Sequence, residues 1–488
     1  MNKKIYNLIA IFSLLLLAAC KDGWEEHIEV TNTANQQNLF ERINSDPSLS
    51  KFAAYLQSTK YDEVLASSKT YTVWVPDNAA IDAFNSAHPD YLANPVTLRY
   101  FVAYHIVNTS YTLRMSGTDT LRLRTLSSKY INSIGASFEE TTVSKANNFA
   151  ANGVYHIISG TADPKDNLWN SLRSYESTLQ YQALASLDTA VVINGDTVIN
   201  RNAQWRSVAS AMSSESSQYT YFVLNDAAFS QETNKIAAYY ATDYLPGGRR
   251  PDSTTQFLTR LNMLRDVLVP GLYTPDRLPD TLLSVAGTKV PVKKSAITGQ
   301  RRTSNGIIYF VSELPYRLKD RVPGFRILGQ SPSGFKQNDK SGNIYYRTKV
   351  DSLGRVIKDI EVYGHGVSEF YIDYRKTNTH VVKYKVYVQA VCGLLGDPQV
   401  NAYTQRYQIR NPLNGLYTAP VLTNTGAAAN LFTQTLVPKN SDEVYLGEYT
   451  RPKYGTLDLR LISAASTSTS TIINTLILSY LRFEPVLP

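Results

Sequence analysis

Two hydrophobic patterns divide this chain of 488 residues. Up to about residue 320, short apolar runs alternate with stretches of helical spacing; beyond Val322 the helical spacing disappears and strict alternation replaces it. Residues 71–75 are rich in β-branched and aromatic side chains and predict a strand. Pro76-Asp77-Asn78 stops that strand, with Asn78 placed to cap a helix beginning at Ala79. Asp46-Pro47 opens a helix that carries Leu49, Phe52, Ala53 and Leu56 on one side. Asn94-Pro95 opens another, whose face at Leu98, Phe101, Val102 and His105 has helical spacing. Asn152-Gly153 is a turn signal before an apolar strand at residues 154–158. In the last third, Phe370, Ile372 and Tyr374 alternate with Glu369, Tyr371, Asp373 and Arg375. Val382, Tyr384, Val386 and Val388 likewise alternate with Lys383, Lys385, Tyr387 and Gln389. Residues 457–462 and 476–483 read as later strands. Turn signals lie at Lys340-Ser341-Gly342-Asn343, Ser352-Leu353-Gly354, Asn414-Gly415 and Asn424-Thr425-Gly426, a pattern that predicts an all-β sandwich.

Part of the chain repeats. YTVWVPDNAAI at residues 71–81 matches YTYFVLNDAAF at 219–229 at Tyr71/Tyr219, Thr72/Thr220, Val75/Val223, Ala79/Ala227 and Ala80/Ala228. NGVYHIIS at 152–159 matches NGIIYFVS at 305–312. Two matched pairs in the same order and at similar spacing argue for a duplicated domain. The first motif, the pair Tyr104-His105 and the second motif resemble the three signature segments of the fasciclin-like domain, over residues 38–172. The resemblance implies a compact α+β fold and a role in adhesion and extracellular interaction. Carried over by position, its motif residues are Val75, Pro76, Asn78, Tyr104, His105, Asn152, Gly153 and His156. The second copy is divergent. Leu224 stands at the place of Pro76 and Tyr309 at that of His156, and Leu268-Val269-Pro270-Gly271 is the stretch expected opposite Tyr104-His105. For His105 a structural role is preferred to a ligand role, since a buried imidazole needs hydrogen-bond partners in any case.

The N-terminus changes the cellular setting. Lys3 and Lys4 precede an apolar stretch ending in Leu17-Ala18-Ala19-Cys20, the charged, apolar and small-residue pattern of an export signal. The stretch is short for a membrane span, which needs roughly 20 apolar residues. Leu-Ala-Ala-Cys resembles the lipobox of bacterial lipoproteins, which implies acylation of Cys20 and cleavage before it. The following Lys21-Asp22 loosely resembles the surface-export signal of Bacteroidota lipoproteins. The expected location is therefore the outer membrane, lipid-anchored and facing outside the cell. With Cys20 acylated, Cys392 has no partner for an intramolecular disulfide.

The organisation that follows is multidomain: two α+β fasciclin-like domains followed by an all-β, jelly-roll-like sandwich. Residues 1–19 are the lipoprotein signal peptide, 20–37 the anchor and linker, 38–171 the first fasciclin-like domain, 172–320 the second and 321–488 the sandwich. The closing residues 476–486 resemble the last strand of jelly-roll modules, a group that includes many carbohydrate-binding domains. Tyr371 and Tyr387 alternate with core positions and are the candidate ligand-binding residues for a glycan; the alternative is an ordinary tyrosine-rich surface or an interdomain contact.

Catalysis finds no positive support. None of the six histidines has the His-x-x-x-His spacing of a helical metal site, and there is no cysteine pair for zinc, so no metal or cofactor is expected. No nucleophile elbow is visible. Glu139-Glu140 falls in a loop and reads as solvated charge. The net charge of +8 comes from scattered lysines and arginines, and the absence of a basic run argues against nucleic acid as a partner. The function expected is recognition without catalysis. The resemblance to Bacteroidota fasciclin-like lipoproteins implies an accessory subunit of a starch-utilisation-type nutrient-uptake transporter, with the transporter and its lid lipoprotein as partners. The alternatives are a cell-surface adhesin and a glycan-binding protein acting through the sandwich.

Overall fold

A computed structural model describes residues 36–193, 196–201, 203–242, 251–410, 431–463 and 475–488. Cys20, the leader and the turn signals at Asn414 and Asn424 lie outside these residues. The described chain forms two compact units: residues 36–171 with Ser213–Gln218 and Arg302–Asn305, and Leu172–Met212 with Tyr219–Arg301 and Gly306–Pro488. Among the described residues no helix is long and apolar enough to cross a membrane.

In the first unit, Asn38 caps the helix Leu39–Asn44 in a capping box with Glu41. Asp46 then caps a 3-10 turn at Pro47–Leu49 that runs into the helix Ser50–Ser58. Their apolar positions Leu49, Phe52, Ala53 and Leu56 are buried, the face that the spacing predicts. Asn94 Oδ1 accepts from Val96 N at 2.8 Å and starts the helix Pro95–Tyr104. The strands are β1 (Tyr71–Pro76), β2 (Ile106–Val107), β3 (Thr120–Arg124), β4 (Tyr130–Ile134), β5 (Ser137–Phe138), β6 (Thr141–Ala150) and β7 (Gly153–Ile158). They form one sheet in the order β2-β1-β7-β6-β5-β4-β3. β1 and β7 lie side by side and parallel, with Val75 opposite Ile157. Central parallel strands are covered on both faces, and every residue of β1 is buried.

The second unit contains a smaller sheet of the same kind. It is built from β10 (Tyr219–Leu224), β11 (Leu268–Pro270), β14 (Ile297–Thr303) and β15 (Gly306–Val311) in the order β11-β10-β15-β14. β10 and β15 are parallel. Two short hairpins accompany it, β8 (Asp188–Ile193) with β9 (Asp196–Arg201) and β12 (Thr281–Leu283) with β13 (Lys289–Pro291).

Beyond Val322 the unit is built almost wholly of strands: β16 (Phe325–Leu328), β17 (Gly334–Phe335), β18 (Ile344–Val350), β19 (Val356–Val362), β20 (Tyr371–Thr379), β21 (Lys383–Gln389), β22 (Tyr403–Arg410), β23 (Leu431–Leu436), β24 (Val444–Thr450), β25 (Gly455–Ser463), β26 (Leu476–Leu478) and β27 (Tyr480–Val486). They form three sheets, ordered β16-β27-β21-β24, β17-β20-β25-β22-β23 and β18-β19-β26. One core collects residues from all three, among them Ile360, Ile372, Val386, Leu459, Leu476 and Phe483. The alternation read along residues 370–374 and 384–388 is the alternation between this core and the outer faces. The expected single strand at residues 476–483 is two. Gly329 N donates to Ser479 O and Ser479 N to Gln389 O, so the backbone steps from the three-stranded sheet into the four-stranded one at that serine.

Candidate functional site

The polar motif residues of the first unit tie its own elements together. Asn152 sits just before β7. Its Oδ1 accepts from Leu39 N at 2.9 Å, and its Nδ2 donates to Leu65 O and Ser67 O at 2.7 and 2.8 Å. Gly153 has a φ of +153°, and an added Cβ would lie 2.0 Å from the carbonyl oxygen of Tyr71. Asp77, rather than Asn78, caps the following helix, accepting from Ala80 N at 2.8 Å. The helix starts at Asn78, whose side chain reaches across to another helix, accepting from Lys51 N at 3.0 Å and donating to Pro47 O at 2.9 Å. Val75 belongs to the core and Pro76 ends β1.

Tyr104 is buried at the end of its helix, and His105 follows it, fully buried. His105 Nδ1 lies 2.9 Å from Phe101 O and its Nε2 accepts from Ala162 N at 3.3 Å. His156 uses the opposite tautomer: Nδ1 accepts from Asn147 N at 3.0 Å and Nε2 faces Tyr111 O at 3.1 Å. Burial pushes both imidazoles down to about 4. Both rings are neutral, fully paired and enclosed. Glu139, expected to be solvated, instead folds inward to accept from Asn132 N at 2.5 Å, and burial raises its carboxyl above the ordinary carboxylate range.

The exposed chemistry lies on the C-terminal strands. Tyr371 and Tyr387 are not brought together: Tyr371 is on β20 of the five-stranded sheet and Tyr387 on β21 of the four-stranded one. Each ring already carries a cation. The Arg460 guanidinium stands 3.3 Å from the Tyr371 ring centroid and holds Asp373 through two bonds of 2.8 Å. Arg482 stands 4.1 Å from the Tyr387 centroid. Around Tyr387 the outer face of the four-stranded sheet gathers more of the same chemistry. Tyr445 packs on Tyr387 at 5.4 Å, and Arg326 stands 4.4 Å from the Tyr480 centroid. Glu443 takes Arg482 Nη2 at 2.7 Å, which holds its carboxyl below the usual range. Register places these residues on one face, since Arg326 pairs with Arg482, Arg482 with Tyr387 and Tyr387 with Tyr445. At the sheet edge, residues 324–326 and 482–485 line a shallow groove of about 400 Å³. Tyr445, Tyr480 and Arg326 were not singled out from sequence. Tyr480 and Arg482 do alternate with the buried Leu481 and Phe483, and that was the available signal. Among the described residues no group of histidine, cysteine or carboxylate side chains could hold a metal ion.

The family description Fasciclin domain matches residues 47–164. Residues 47–164 are a fasciclin domain. No curated protein matches the sequence. Among solved structures, a FAS1 domain pair from the insect cell adhesion molecule Fasciclin I is 15% identical. It covers 56% of this chain and 98% of that chain, with a TM-score of 0.23. A family 35 carbohydrate-binding module from Clostridium thermocellum is 10% identical, over 34% of this chain and 99% of that one, with a TM-score of 0.21. A carbohydrate-binding module in complex with calcium and xylotriose is 11% identical, over 33% of this chain and 99% of that one, with a TM-score of 0.20.

Set beside the fasciclin domain, the second copy repeats its ladder residue for residue. Val73 pairs with Ile106 in the first and Tyr221 with Leu268 in the second. This register corrects the sequence reading: the counterpart of Tyr104-His105 is Asp266-Val267, not residues 268–271. Trp74 N donates to His105 O, and Phe222 N donates to Val267 O. The imidazole is therefore lost, and the tyrosine is replaced by Asp266, which pairs with Arg321 at 3.3 Å. Other contacts survive a change of residue. Tyr309 stands for His156, and its hydroxyl donates to Tyr273 O at 2.8 Å. Asn225 takes over the cap of Asp77, accepting from Ala228 N at 2.9 Å. Asp226 accepts from Leu179 N at 2.8 Å as Asn78 does from Lys51 N.

Proposed function

We propose that this chain is a non-catalytic recognition lipoprotein of the bacterial outer membrane. It is held through Cys20 with its folded part facing outward, and it acts as an accessory subunit that docks onto a nutrient-uptake transporter and its lid lipoprotein. In this reading residues 38–171 and 172–320 are two fasciclin-like domains, the second divergent, and residues 321–488 are a jelly-roll-like sandwich that presents the docking face. One observation carries the reading. The polar motif residues of the fasciclin domain are spent on internal hydrogen bonds, whereas the outer face of the four-stranded sheet displays Tyr387, Tyr445, Tyr480, Arg326 and Arg482 together. Tyrosine and arginine dominate the residues whose truncation most weakens protein–protein interfaces. A sugar platform is less favoured, because a sugar ring stacks on an open aromatic face and guanidinium groups already cover Tyr371 and Tyr387.

The test is affinity capture of the full chain from membranes of its native cell. Wild type is expected to bring down an outer-membrane transporter. Tyr445→Ala with Arg326→Glu should reduce that capture about tenfold or more while leaving the melting transition in place. Undiminished capture by the double variant would remove the face from the interface. Binding of an oligosaccharide, lost in the same variant, would transfer the site to the glycan reading. Capture of a neighbouring cell's surface in place of a transporter would make the protein an adhesin.

A further inference from the structure

We infer that one end of the C-terminal strands is a membrane-contacting surface, whose aliphatic loop tips enter the interfacial layer of a lipid bilayer. This does not depend on the tyrosine–arginine face, which it adjoins at Glu443, the last residue of the third loop. Three loops share that end: the β18–β19 turn, residues 393–400 after β21, and the turn between β23 and β24. Arg355 of the first loop bonds Asp442 of the third at 3.2 Å. Lys349, at the base of the first, bonds Asp397 of the second at 3.2 Å. Lys439 of the third donates to Cys392 O, beside the second, at 2.7 Å.

These loops hold apolar side chains out in water. Leu353 is 75% exposed and Leu395 fully so, and Val350, Val356, Val400 and Val437 are all more than half exposed. The reason is geometric. Val350 pairs with Val356, and Val356 lies on the same side of β19 as the buried Ile360 and Val362. β26 pairs only with Ile360, Glu361 and Val362, so the core-facing side of the hairpin runs on past the core that should cover it. The tips are also fixed in place. Asp351 accepts from Leu353 N at 2.9 Å and Arg355 N at 2.8 Å, and Asp397 accepts from Leu394 N at 3.0 Å. Several large apolar side chains held in solvent on loops that are bonded to one another point to an interaction site.

The chemistry selects lipid as the occupant. The tips are leucine and valine, which are under-represented among protein hot spots, with no tryptophan or phenylalanine beside them. They stand on separate projections, which a fluid acyl layer can receive without matching pits. Arg355 is paired with Asp351 and Asp442, and the other exposed charges around the tips are the cations Lys358 and Lys439, suited to phosphate-bearing headgroups.

The experiment uses the chain from position 20 onward with Cys20→Ser, so that neither leader nor acyl chain contributes. Leu353→Cys is labelled with a polarity-sensitive dye. Cys392 is buried, and burial pushes its thiol up to about 11, which keeps it from competing for label. Vesicles of phosphatidylcholine with phosphatidylglycerol should shift the dye emission to the blue, and brominated acyl chains should quench it. Leu353→Asp with Leu395→Asp should reduce co-sedimentation with those vesicles at least tenfold at an unchanged melting temperature. An unshifted emission, or co-sedimentation equal in the double variant, would overturn the proposal. So would a shift given by an envelope protein fraction but not by protein-free vesicles, which would assign this end to a protein.

Discussion

Glu361 is the residue at which charge and packing meet most sharply. It lies in a buried cluster with Arg347, Lys349, Asp359 and Asp397, which is three carboxylates against two cations. Lys349 Nζ is held by Asp359 at 2.7 Å and by Val391 O at 2.8 Å, and Arg347 touches all three acids. The charges balance when one carboxyl keeps its proton, and burial raises the Glu361 carboxyl to about 7. A folded value above the unfolded one means that the fold prefers the protonated form. The contribution of Glu361 to stability is therefore complete below about 4.5 and is lost as pH rises through about 7. His105 and His156 tilt the other way, since both stay neutral in the fold and charge on unfolding below 6.5. The comparison must accordingly be made between variant and wild type at each pH. Glu361→Gln is expected to match wild type near pH 4.5 and to exceed it by about 3 kcal/mol at pH 8, read by urea denaturation. A variant less stable than wild type at pH 8 would show that the ionised carboxylate is what the cluster needs.

At the scale of elements, the turn Asn152-Gly153 ties several together. Asn152 joins the start of the helix Leu39–Asn44 to the end of the helix Tyr61–Leu65, and its own carbonyl accepts from Tyr71 N at the head of β1. Asn152→Ala strips three hydrogen bonds at once. A loss of about 2–4 kcal/mol is expected, measured as the thermal transition of the fasciclin domain within the full chain. Gly153→Ala should cost at least as much, because the atom it would strike is backbone and cannot rotate away. Wild-type melting of either variant would deny the turn this role. The turn was legible in sequence because Asn-Gly is a strong local signal, and its long-range partners were not, because they are set by tertiary contacts. The same division holds elsewhere. The apolar runs at 71–75 and 154–158 identified β1 and β7, and the repeat identified β10 and β15. The counterpart of His105 was misplaced by two residues because the preceding helix is longer in the second copy, Pro251–Asp266 against Pro95–Tyr104. Only the ladder fixes that register. β3 to β5 are short strands whose pairing, rather than composition, defines them. Tyr371 and Tyr387 alternate with buried neighbours, but alternation within a strand does not say which sheet the strand joins.

For the molecule as a whole, the proposed function requires an attachment to the membrane. No described helix can span one, and the described fold begins with Asn38 capping the helix Leu39–Asn44. In the proposed reading, attachment at Cys20 acts through residues 21–37 and leaves the folded units unchanged. Several acyl chains on one cysteine bind strongly, since each buried methylene contributes about 0.8 kcal/mol. Two outcomes follow for Cys20→Ala. Metabolic labelling with a fatty acid should fall to background, because in the proposed reading the thiol is the acceptor. The loop tips at Leu353 and Leu395 bind more weakly than an acyl anchor, so after fractionation most of the variant should lose its stable hold on the envelope. Its thermal transition, measured on protein extracted under the same conditions, should coincide with that of wild type, since in the proposed reading residue 20 serves as the anchor alone. Labelling equal to wild type would move the acyl site away from Cys20. A shifted melt with lost labelling would mean instead that the N-terminal segment packs on the fold, and that the anchor and the structure are coupled.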